Sequence, residues 1–344
     1  MKPLSESATG TLAHAHGGPL CCGKIRTQPE DFQVCEIPVC SPGGEGEHVW
    51  LHIRKRNANT EWLARQLARH AGVSPRQVGY AGLKDRQAIT EQWFSVHLPG
   101  RAGPDWQAIE GGEFTILQVR RHSRKLRRGG LRGNRFKIRI RNLDGNMDQL
   151  PALFDTLRLR GIPNYYGPQR FGHNGSNLVA AGAMFRKEAG RISRHQRGLY
   201  LSAARSRLFN QVLNRRVADG SWDRVIDGDV LQLDGSRSWF AVTDNGPELG
   251  ERMQMMDVHA TGPLWGKGAP PVSGDCLRLE TRELAPYDQW RKGLEQAGLK
   301  QDRRALRVRV RDLEWSLEGT GSLELAFELP PGAYATAVLR EIIE

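Results

Sequence analysis

Hydrophobic and polar residues alternate most regularly over Gly133–Arg141 (GNRFKIRIR), where every second residue from Phe136 is apolar and the residues between are Lys or Arg. Because successive side chains of a strand point to opposite faces, this pattern predicts a strand with one buried face and one basic face. Leu306–Trp315 and Ser322–Pro330 alternate in the same way and predict an antiparallel pair late in the chain.

Helical spacing occurs in two other segments. Leucines four residues apart, a capping Asn or Thr and a late glycine predict a helix over Asn59–Val73, and Tyr200–Gly220 predicts a longer helix that stops at its glycine. Apolar alternation predicts strands over Val49–Arg56 and Trp93–Leu98, and Asp229–Val242 has the turn residues of a hairpin.

The sequence pattern changes between residues 160 and 305, where the predicted long helix and a high density of glycines and prolines interrupt the run of predicted strands. The late alternating segments then resemble the early ones. We therefore expect a discontinuous core, residues 1–159 and 306–344, into which a second domain, residues 160–305, is inserted.

The overall charge of the chain indicates what kind of partner it binds. The 344 residues carry a formal net charge of +12, with a pI of about 9.8. Such a balance favours a polyanionic partner, nucleic acid before membrane. The sequence shows no apolar run of membrane-spanning length and no apolar signal segment, so we expect a cytoplasmic protein with no membrane partner, and no surplus apolar stripe suggests more than a monomer.

The positive charge is concentrated in the basic run, residues 120–141, where eleven of twenty-two residues are Lys or Arg and none is acidic. A solvated strand face would explain some of these residues. We favour a phosphate-binding surface, because like charges at this density repel one another and binding to a polyanion relieves the repulsion.

No metal or cofactor is expected from the sequence. Its five cysteines include no CxxC pair, and neither a zinc-protease motif, a calcium loop nor a nucleotide-binding glycine loop occurs. His14 and His16 near the start, and Asp227 and Asp229 in a turn, are better explained as ordinary terminal and turn residues than as ligands.

A single carboxylate, Asp85, lies between Lys84 and Arg86, after a glycine-flanked turn and before an apolar strand. A surface acid paired with a basic neighbour is one interpretation. The other is chemical: glycines allow a sharp turn and the close approach of a ligand, and an ionised carboxylate in a basic cleft is a competent nucleophile. The aromatic segment Asn164–Gly172 (NYYGPQRFG) is equally ambiguous, since its rings suit unstacked bases or the packing of a domain junction.

Several blocks together are more specific than any of them alone. The segment GYAGLKDRQAITEQW around Asp85 resembles the signature of the TruD family of tRNA pseudouridine synthases. Further blocks match that family in its own order: PEDFQVCE, GEGEHVWLHIRK, GNRF, NYYGPQRFG, LSAARSRLFNQVL, DGDVLQL and PPGAYATAVLRE. The resemblance extends over nearly the whole chain.

The resemblance implies both a fold and an activity. The fold would be of the α+β class, a pseudouridine-synthase core with a central mixed, mainly antiparallel sheet flanked by helices, plus an inserted α/β TRUD domain. The activity would be the cofactor-free isomerisation of uridine 13 in the D stem of tRNA to pseudouridine, with RNA in a basic cleft.

The resemblance also implies site residues. Asp85 matches the catalytic aspartate, Arg26 matches a basic position that could pair with it, and Lys84 and Arg86 are rivals for that pairing. Phe32, Asn134 and Phe136 match positions that line the uridine pocket, and Tyr334 matches an aromatic position with a stacking role. Whether Asp85 attacks C1′ or assists loss of the 2′ proton stays open.

Two other functions remain possible at this stage. A non-catalytic RNA-binding protein would use Asp85 only structurally. A metal-dependent nuclease would need clustered acids, but the acid nearest to Asp85 in the sequence is Glu91.

Overall fold

The computed structural model describes residues 12–242, 246–319 and 321–344. Its strands are β1 (Cys21–Lys24), β2 (Phe32–Pro38), β3 (His48–Arg56), β4 (Val78–Tyr80), β5 (Ile89–His97), β6 (Phe114–His122), β7 (Leu131–Gly145), β8 (Ile162–Pro163), β9 (Val230–Leu233), β10 (Trp239–Ala241), β11 (Val258–Leu264), β12 (Asp302–Ala305), β13 (Arg307–Val308), β14 (Arg311–Glu318) and β15 (Ser322–Leu329).

Helices connect and cover these strands. The α-helices are α1 (Thr60–His70), α2 (Leu150–Arg160), α3 (Ser176–Phe185), α4 (Arg194–Ala218), α5 (Pro247–Gln254), α6 (Gly274–Leu284), α7 (Asp288–Gln296) and α8 (Ala335–Leu339). Short 3₁₀ helices occupy Pro29–Asp31, Pro75–Gln77, Gln107–Ile109, Met147–Gln149, Pro168–Phe171, His173–Gly175 and Ala285–Tyr287. None of the helices in the described ranges combines the length and apolar composition needed to cross a bilayer.

The described residues pack into two compact units, each assembled from separate stretches of the chain. The sheet unit comprises residues 21–147 and 310–332, and the helical unit comprises residues 12–20, 148–309 and 333–344. These are units of packing. The predicted division into a core of residues 1–159 and 306–344 with an inserted domain of residues 160–305 has different bounds, and it stays a prediction.

The sheet unit is built on one large sheet. Among the described residues the strand order is β14-β15-β7-β2-β5-β3-β6, with β1 beside β7 and β4 beside β5. Its paired strands are antiparallel except for β2 and β5, which run parallel. The α+β class and the mixed, mainly antiparallel sheet expected from the sequence are therefore confirmed.

Strand β7 shows why the alternating pattern was informative. Phe136, Ile138 and Ile140 are buried on one face, while the residues between them are exposed or half-buried. The strand is longer than the alternating segment and pairs with β2 on one side and β15 on the other. The late alternating segments form the antiparallel pair of β14 and β15.

Helix α1 covers one face of this sheet. Its N-cap is Asn59, whose side chain accepts a hydrogen bond from the amide of Glu61. Leu63 and Leu67 are fully buried in a core that also contains Phe94 of β5. The predicted cap and apolar spacing thus agree with the observed helix, which ends at His70, two residues before the glycine that was expected to stop it.

The helical unit has a different construction. Helix α4 begins six residues earlier than predicted, at Arg194, and packs with the small sheet β10-β9-β11-β12. Asp229, which precedes β9, is buried and paired with Arg216 at 2.9 Å (Nη2 to Oδ2). That pairing agrees with its interpretation as a structural turn residue and not a metal ligand.

The aromatic segment Asn164–Gly172 belongs to the core of the helical unit. Tyr165 and Phe171 are almost fully buried, and Tyr166 contacts Phe209 edge to face with ring centroids 5.5 Å apart. The sequence left two interpretations open, stacking on unstacked bases and packing at a domain junction. Packing accounts for these rings, and they pack inside the helical unit.

Candidate active site

Asp85 lies in the loop between β4 and β5, and buried polar side chains hold the backbone of that loop. The amide of Lys84 donates to Oγ1 of Thr60 (3.1 Å), whose hydroxyl donates to Oε1 of Gln92 (2.9 Å). Nε2 of Gln92 in turn donates to the carbonyl of Gly82 (3.2 Å). Both Thr60 and Gln92 are buried, so this closed network fixes the course of the loop before Asp85.

Lys55 holds Asp85 itself. Its ammonium is fully buried and donates to the carbonyl of Asp85 (3.1 Å) and to the carbonyl of Ala58 (2.6 Å). Burial lowers the pKa of Lys55 to about 8, because removing an ammonium from water disfavours its charged form. Asp85, with its charge nearby, acts in the opposite direction.

The carboxylate of Asp85 is paired with Arg26. Nη2 of Arg26 lies 2.6 Å from Oδ2 of Asp85, with both side chains partly exposed. The guanidinium carbon also lies 4.2 Å from the centroid of the Phe32 ring, within the range of a cation–π contact. Arg26 has a φ of 59°, a left-handed backbone conformation that is uncommon outside glycine and clusters at functional sites.

The two basic residues that flank Asp85 in sequence point to other partners or to solvent. Nζ of Lys84 lies 2.7 Å from Oε2 of Glu36, and both side chains are buried. Arg86 is exposed. Of the three rivals for Asp85, the structure therefore brings Arg26 to the carboxylate, from a position far away in the sequence.

An aromatic stack lies next to Arg26. Phe32 contacts Phe136 edge to face (centroids 6.2 Å apart), and Phe136 stacks on Phe327 (5.4 Å). All three rings are buried. The Phe32 ring therefore packs against the Arg26 guanidinium and connects the pair of Arg26 and Asp85 to the core of the sheet.

Asn134 lies on the same face of β7 as Phe136, two residues earlier, and is paired in register with Glu36 of β2. Its Oδ1 atom is buried and has no hydrogen-bond partner among the described residues. A buried acceptor without a partner costs about 1–3 kcal/mol, so the site retains an amide that the fold does not use.

Tyr334, the remaining residue of the predicted site, belongs to the helical unit. It is half-buried at the start of α8 and contacts Tyr166 edge to face, with centroids 6.0 Å apart. Burial raises the pKa of its hydroxyl. Gly167 packs so close to it that a Cβ there would lie 3.6 Å from the Tyr334 ring and 2.6 Å from Oγ1 of Thr336.

Gly79 and Gly82, which were expected to allow a sharp turn and the close approach of a ligand, differ in their surroundings. A Cβ at Gly79 would lie 2.3 Å from the carbonyl oxygen of Leu126 and 2.7 Å from Oγ of Ser95. Gly79 is thus required by chain packing and not by the approach of a ligand. A Cβ at Gly82 would meet nothing closer than 3.8 Å.

The basic run divides into two parts in the structure. The four cations in its second part are paired with carboxylates of the sheet unit: Arg135 with Glu328 (2.8 Å), Lys137 with Glu324 (2.8 Å), Arg139 with Glu318 (2.8 Å) and Arg141 with Asp31 (2.8 Å). Acids on neighbouring segments neutralise these four cations, which makes them less suited to phosphates than the rest of the run.

The earlier part of the basic run keeps its charge exposed. Arg120, Arg124, Arg127 and Arg132 are exposed and have no carboxylate within ion-pair distance in the described parts of the chain. We call these four residues the free-arginine set. They make residues 120–132 the part of the run that is suited to phosphates.

Sequence reasoning missed Glu36, Lys55, Thr60 and Gln92. Three of them could have been predicted as buried polar residues. Glu36, Lys55 and Gln92 occupy positions of their strands that the alternation of polar and apolar residues assigns to the buried face. A polar residue at such a position must be paired, so it indicates a buried network.

Metal ligands do not gather at Asp85 in the parts of the chain that are described. The described parts do contain one group of three side chains that are close enough together to hold an ion: Cys35, His52 and Glu91. These residues lie on the sheet face opposite to Phe32 and Glu36, as the alternation along β2 and β5 requires.

Comparison with known proteins identifies the family. The family model described as tRNA pseudouridine synthase D (TruD) matches residues 9–189 and 176–342. The chain is 50% identical over 333 residues to a tRNA pseudouridine synthase D of Methylococcus capsulatus, covering 97% of this chain and 94% of that protein. It is 48% identical over 340 residues to a protein of the same name from Nitrosococcus oceani, covering 98% and 95%.

A solved structure shares the fold. The crystal structure of a candidate tRNA pseudouridine synthase D from Methanosarcina mazei matches with a TM-score of 0.75 at 22% sequence identity. The match covers 100% of this chain and 98% of that one. At this level of identity the likeness demonstrates the common fold.

Proposed function

Because the chain belongs to the tRNA pseudouridine synthase D family, we propose that it isomerises uridine 13 in the D stem of tRNA to pseudouridine, with Asp85 as the catalytic carboxylate. The observation that carries the proposal is the pair of Asp85 and Arg26, 2.6 Å apart, in a loop anchored by buried Lys55. Such anchoring holds a reacting group in place without reorganisation during the reaction.

The reaction needs few groups. The N1–C1′ bond breaks, the uracil turns within the site, a C5–C1′ bond forms, and C5 loses its proton while N1 gains one. No net oxidation and no water are required, so one carboxylate suffices, either by attack on C1′ or by assisting loss of the 2′ proton. Arg26 supplies a counter-charge for the carboxylate and, through Phe32, is held against the core.

The uracil requires recognition as well as chemistry. A base in a stem must be extruded at a cost of a few kcal/mol, and stacking on aromatic residues returns roughly 1–3 kcal/mol per base. We assign Asn134 to the uracil edge, because its unpartnered Oδ1 is an acceptor that the fold leaves available. Phe32 and Phe136 are assigned to the walls of the uridine pocket, and Tyr334 keeps the stacking role that the family resemblance implies.

The remaining basic residues have separate roles in this proposal. Arg86 is exposed beside Asp85 and is suited to a backbone phosphate. Lys84 is paired with Glu36, so it positions the loop and does not reach the RNA directly. The free-arginine set supplies the wider electrostatic attraction for tRNA. A cytoplasmic location and a monomeric state remain predictions from the sequence.

The test is release of tritium from tRNA transcripts carrying [5-³H]uridine. We expect release by the wild-type chain, none by Asp85→Asn, and retained tRNA binding by that variant. Asp144→Asn, a change at an exposed aspartate of the same unit, is the matched control and should release tritium normally. A transcript with cytidine at position 13 should give no release.

Each other outcome has a definite meaning. Equal release by wild type and Asp85→Asn would move catalysis away from Asp85. No release by the wild-type chain, with tRNA still bound, would favour the non-catalytic RNA-binding protein. Release from the transcript with cytidine at position 13 would contradict the assigned position only.

A further inference from the structure

Cys35, His52 and Glu91 lie together on three neighbouring strands of the sheet unit, β2, β3 and β5. Cys35 and Glu91 are paired in register across the parallel strands, and His52 projects from the next strand on the same face. Their potential ligand atoms all lie within 4.8 Å of one another. The face is opposite to that of Phe32 and Glu36, so the proposed isomerisation does not use these groups.

The separations suit a single bound ion. Sγ of Cys35 lies 3.6 Å from Oε2 of Glu91, and Nε2 of His52 lies 3.7 Å from the same oxygen. With Zn–O and Zn–N distances of about 2.0–2.1 Å and a Zn–S distance of about 2.3 Å, the ligand atoms of tetrahedral zinc are about 3.3–3.6 Å apart. Small side-chain rotations would therefore complete three corners of a tetrahedron.

A second observation points to a ligand. Nε2 of His52 is a buried atom with no hydrogen-bond partner in the described residues, although it faces Glu91. At 3.7 Å the carboxylate is too far away for a hydrogen bond. Glu91 accepts a hydrogen bond from the Cys35 thiol but none from His52, so the buried imidazole nitrogen has no partner among the described residues. An ion between the three groups would give it one.

The surroundings orient the three groups. The His52 ring stacks on Trp93, with centroids 4.9 Å apart and an interplanar angle of 14°. Arg54 holds the other carboxylate oxygen of Glu91 at 2.7 Å, which turns Oε2 toward Cys35. Such outer partners are typical of metal sites, where they fix the ligands before the ion arrives.

We propose that Cys35, His52 and Glu91 form a binding site for a zinc ion, or for a transition metal of similar softness, with water at the fourth position. One thiolate and one carboxylate neutralise a divalent ion, and a mixed S, N and O donor set excludes Mg²⁺ and Ca²⁺ as the preferred occupants. The ion would join β2, β5 and β3 and stabilise the sheet without taking part in the isomerisation.

The test uses the metal-depleted full-length chain and Co²⁺, whose charge-transfer absorption reports a coordinated thiolate directly. We expect one equivalent to bind with this absorption and Zn²⁺ to displace it. Cys35→Ser should remove the absorption, and His52→Ala should weaken binding at least tenfold. Cys40→Ser, which alters an exposed cysteine of the same unit, is the matched control and should bind normally.

An unchanged band in Cys35→Ser, or no band in the wild-type chain, would overturn the proposal. Circular dichroism and melting curves establish that each variant is folded. If Cys35→Ser does not fold, alkylation of the wild-type chain decides: Zn²⁺ should slow labelling of Cys35 at least tenfold and leave Cys40 unchanged. Equal labelling of Cys35 with and without Zn²⁺ would also overturn it. Tritium release should continue after chelation.

Discussion

Nη2 of Arg26 lies 2.6 Å from Oδ2 of Asp85, although 59 positions separate the two residues in the sequence. The basic residues adjacent to Asp85 are engaged with Glu36 or directed to solvent. The charge environment of the carboxylate is thus supplied by the connection between β1 and β2, through a residue in a strained left-handed conformation.

Replacing Arg26 should impair catalysis more than tRNA binding. Arg26→Met removes a charge-assisted hydrogen bond worth about 1.5–3 kcal/mol, so we expect the single-turnover rate to fall about 10- to 100-fold. Arg26→Lys keeps the charge but loses the planar contact with Phe32, and should give an intermediate rate. Arg86→Met is the comparison; an equal fall in both variants would show that the pairing has no special role.

Asn134 should contribute to activity without contributing to stability. Asn134→Leu removes a buried acceptor that has no partner in the described residues, so the free energy of unfolding should stay the same or increase by about 1 kcal/mol. Tritium release should fall at least tenfold, because the uracil edge loses its amide. Urea unfolding and the release assay measure the two effects on one sample, and a destabilised variant with normal activity would refute the assignment.

The buried pair of Lys84 and Glu36 should behave differently from an exposed pair. Glu36→Ala leaves an uncompensated buried ammonium and should destabilise the chain by about 3–5 kcal/mol. The double variant Glu36→Leu, Lys84→Met should recover much of that loss. Arg56→Ala, which breaks the exposed pair with Glu30, should change the free energy of unfolding far less, because solvent screens that pair. Equal costs in urea unfolding would contradict the buried arrangement.

Lys55 should make stability depend on pH in the alkaline range. Its pKa is about 8 in the folded chain and 10.5 when exposed, so between these pH values the unfolded chain binds more protons and stability increases with pH. The advantage of Lys55→Met over the wild type should shrink by about 3 kcal/mol from pH 8 to 10.5. A difference between Lys55→Met and the wild type that stays flat over this pH range would disprove the buried charge.

The free-arginine set should dominate the salt dependence of tRNA binding. Replacing Arg124, Arg127 and Arg132 with Ala should reduce the slope of log Kd against log salt concentration by about 2–3, since each phosphate contact contributes about 0.7–0.9. The matched triple variant at Arg135, Lys137 and Arg139 should change the slope little, because those cations are already paired. Equal effects of the two triple variants would restore the larger phosphate surface.

The local elements of the sheet unit could be predicted because their causes are local. The alternation in β7 identified its buried and basic faces, and the cap and leucine spacing identified α1. The motif around Asp85 likewise identified the family from adjacent residues. Each of these properties depends on the period of a strand or helix, or on a short run of neighbours.

The partners of the charged residues depended on which strands became neighbours. The arginines of β7 look like a phosphate surface until β15 is placed beside them with Glu324 and Glu328. The parallel pairing of β2 with β5 is what brings Cys35 next to Glu91. The sequence by itself determined which face each side chain occupies; the tertiary structure decided what that face meets, because strand order joins residues that the chain keeps far apart.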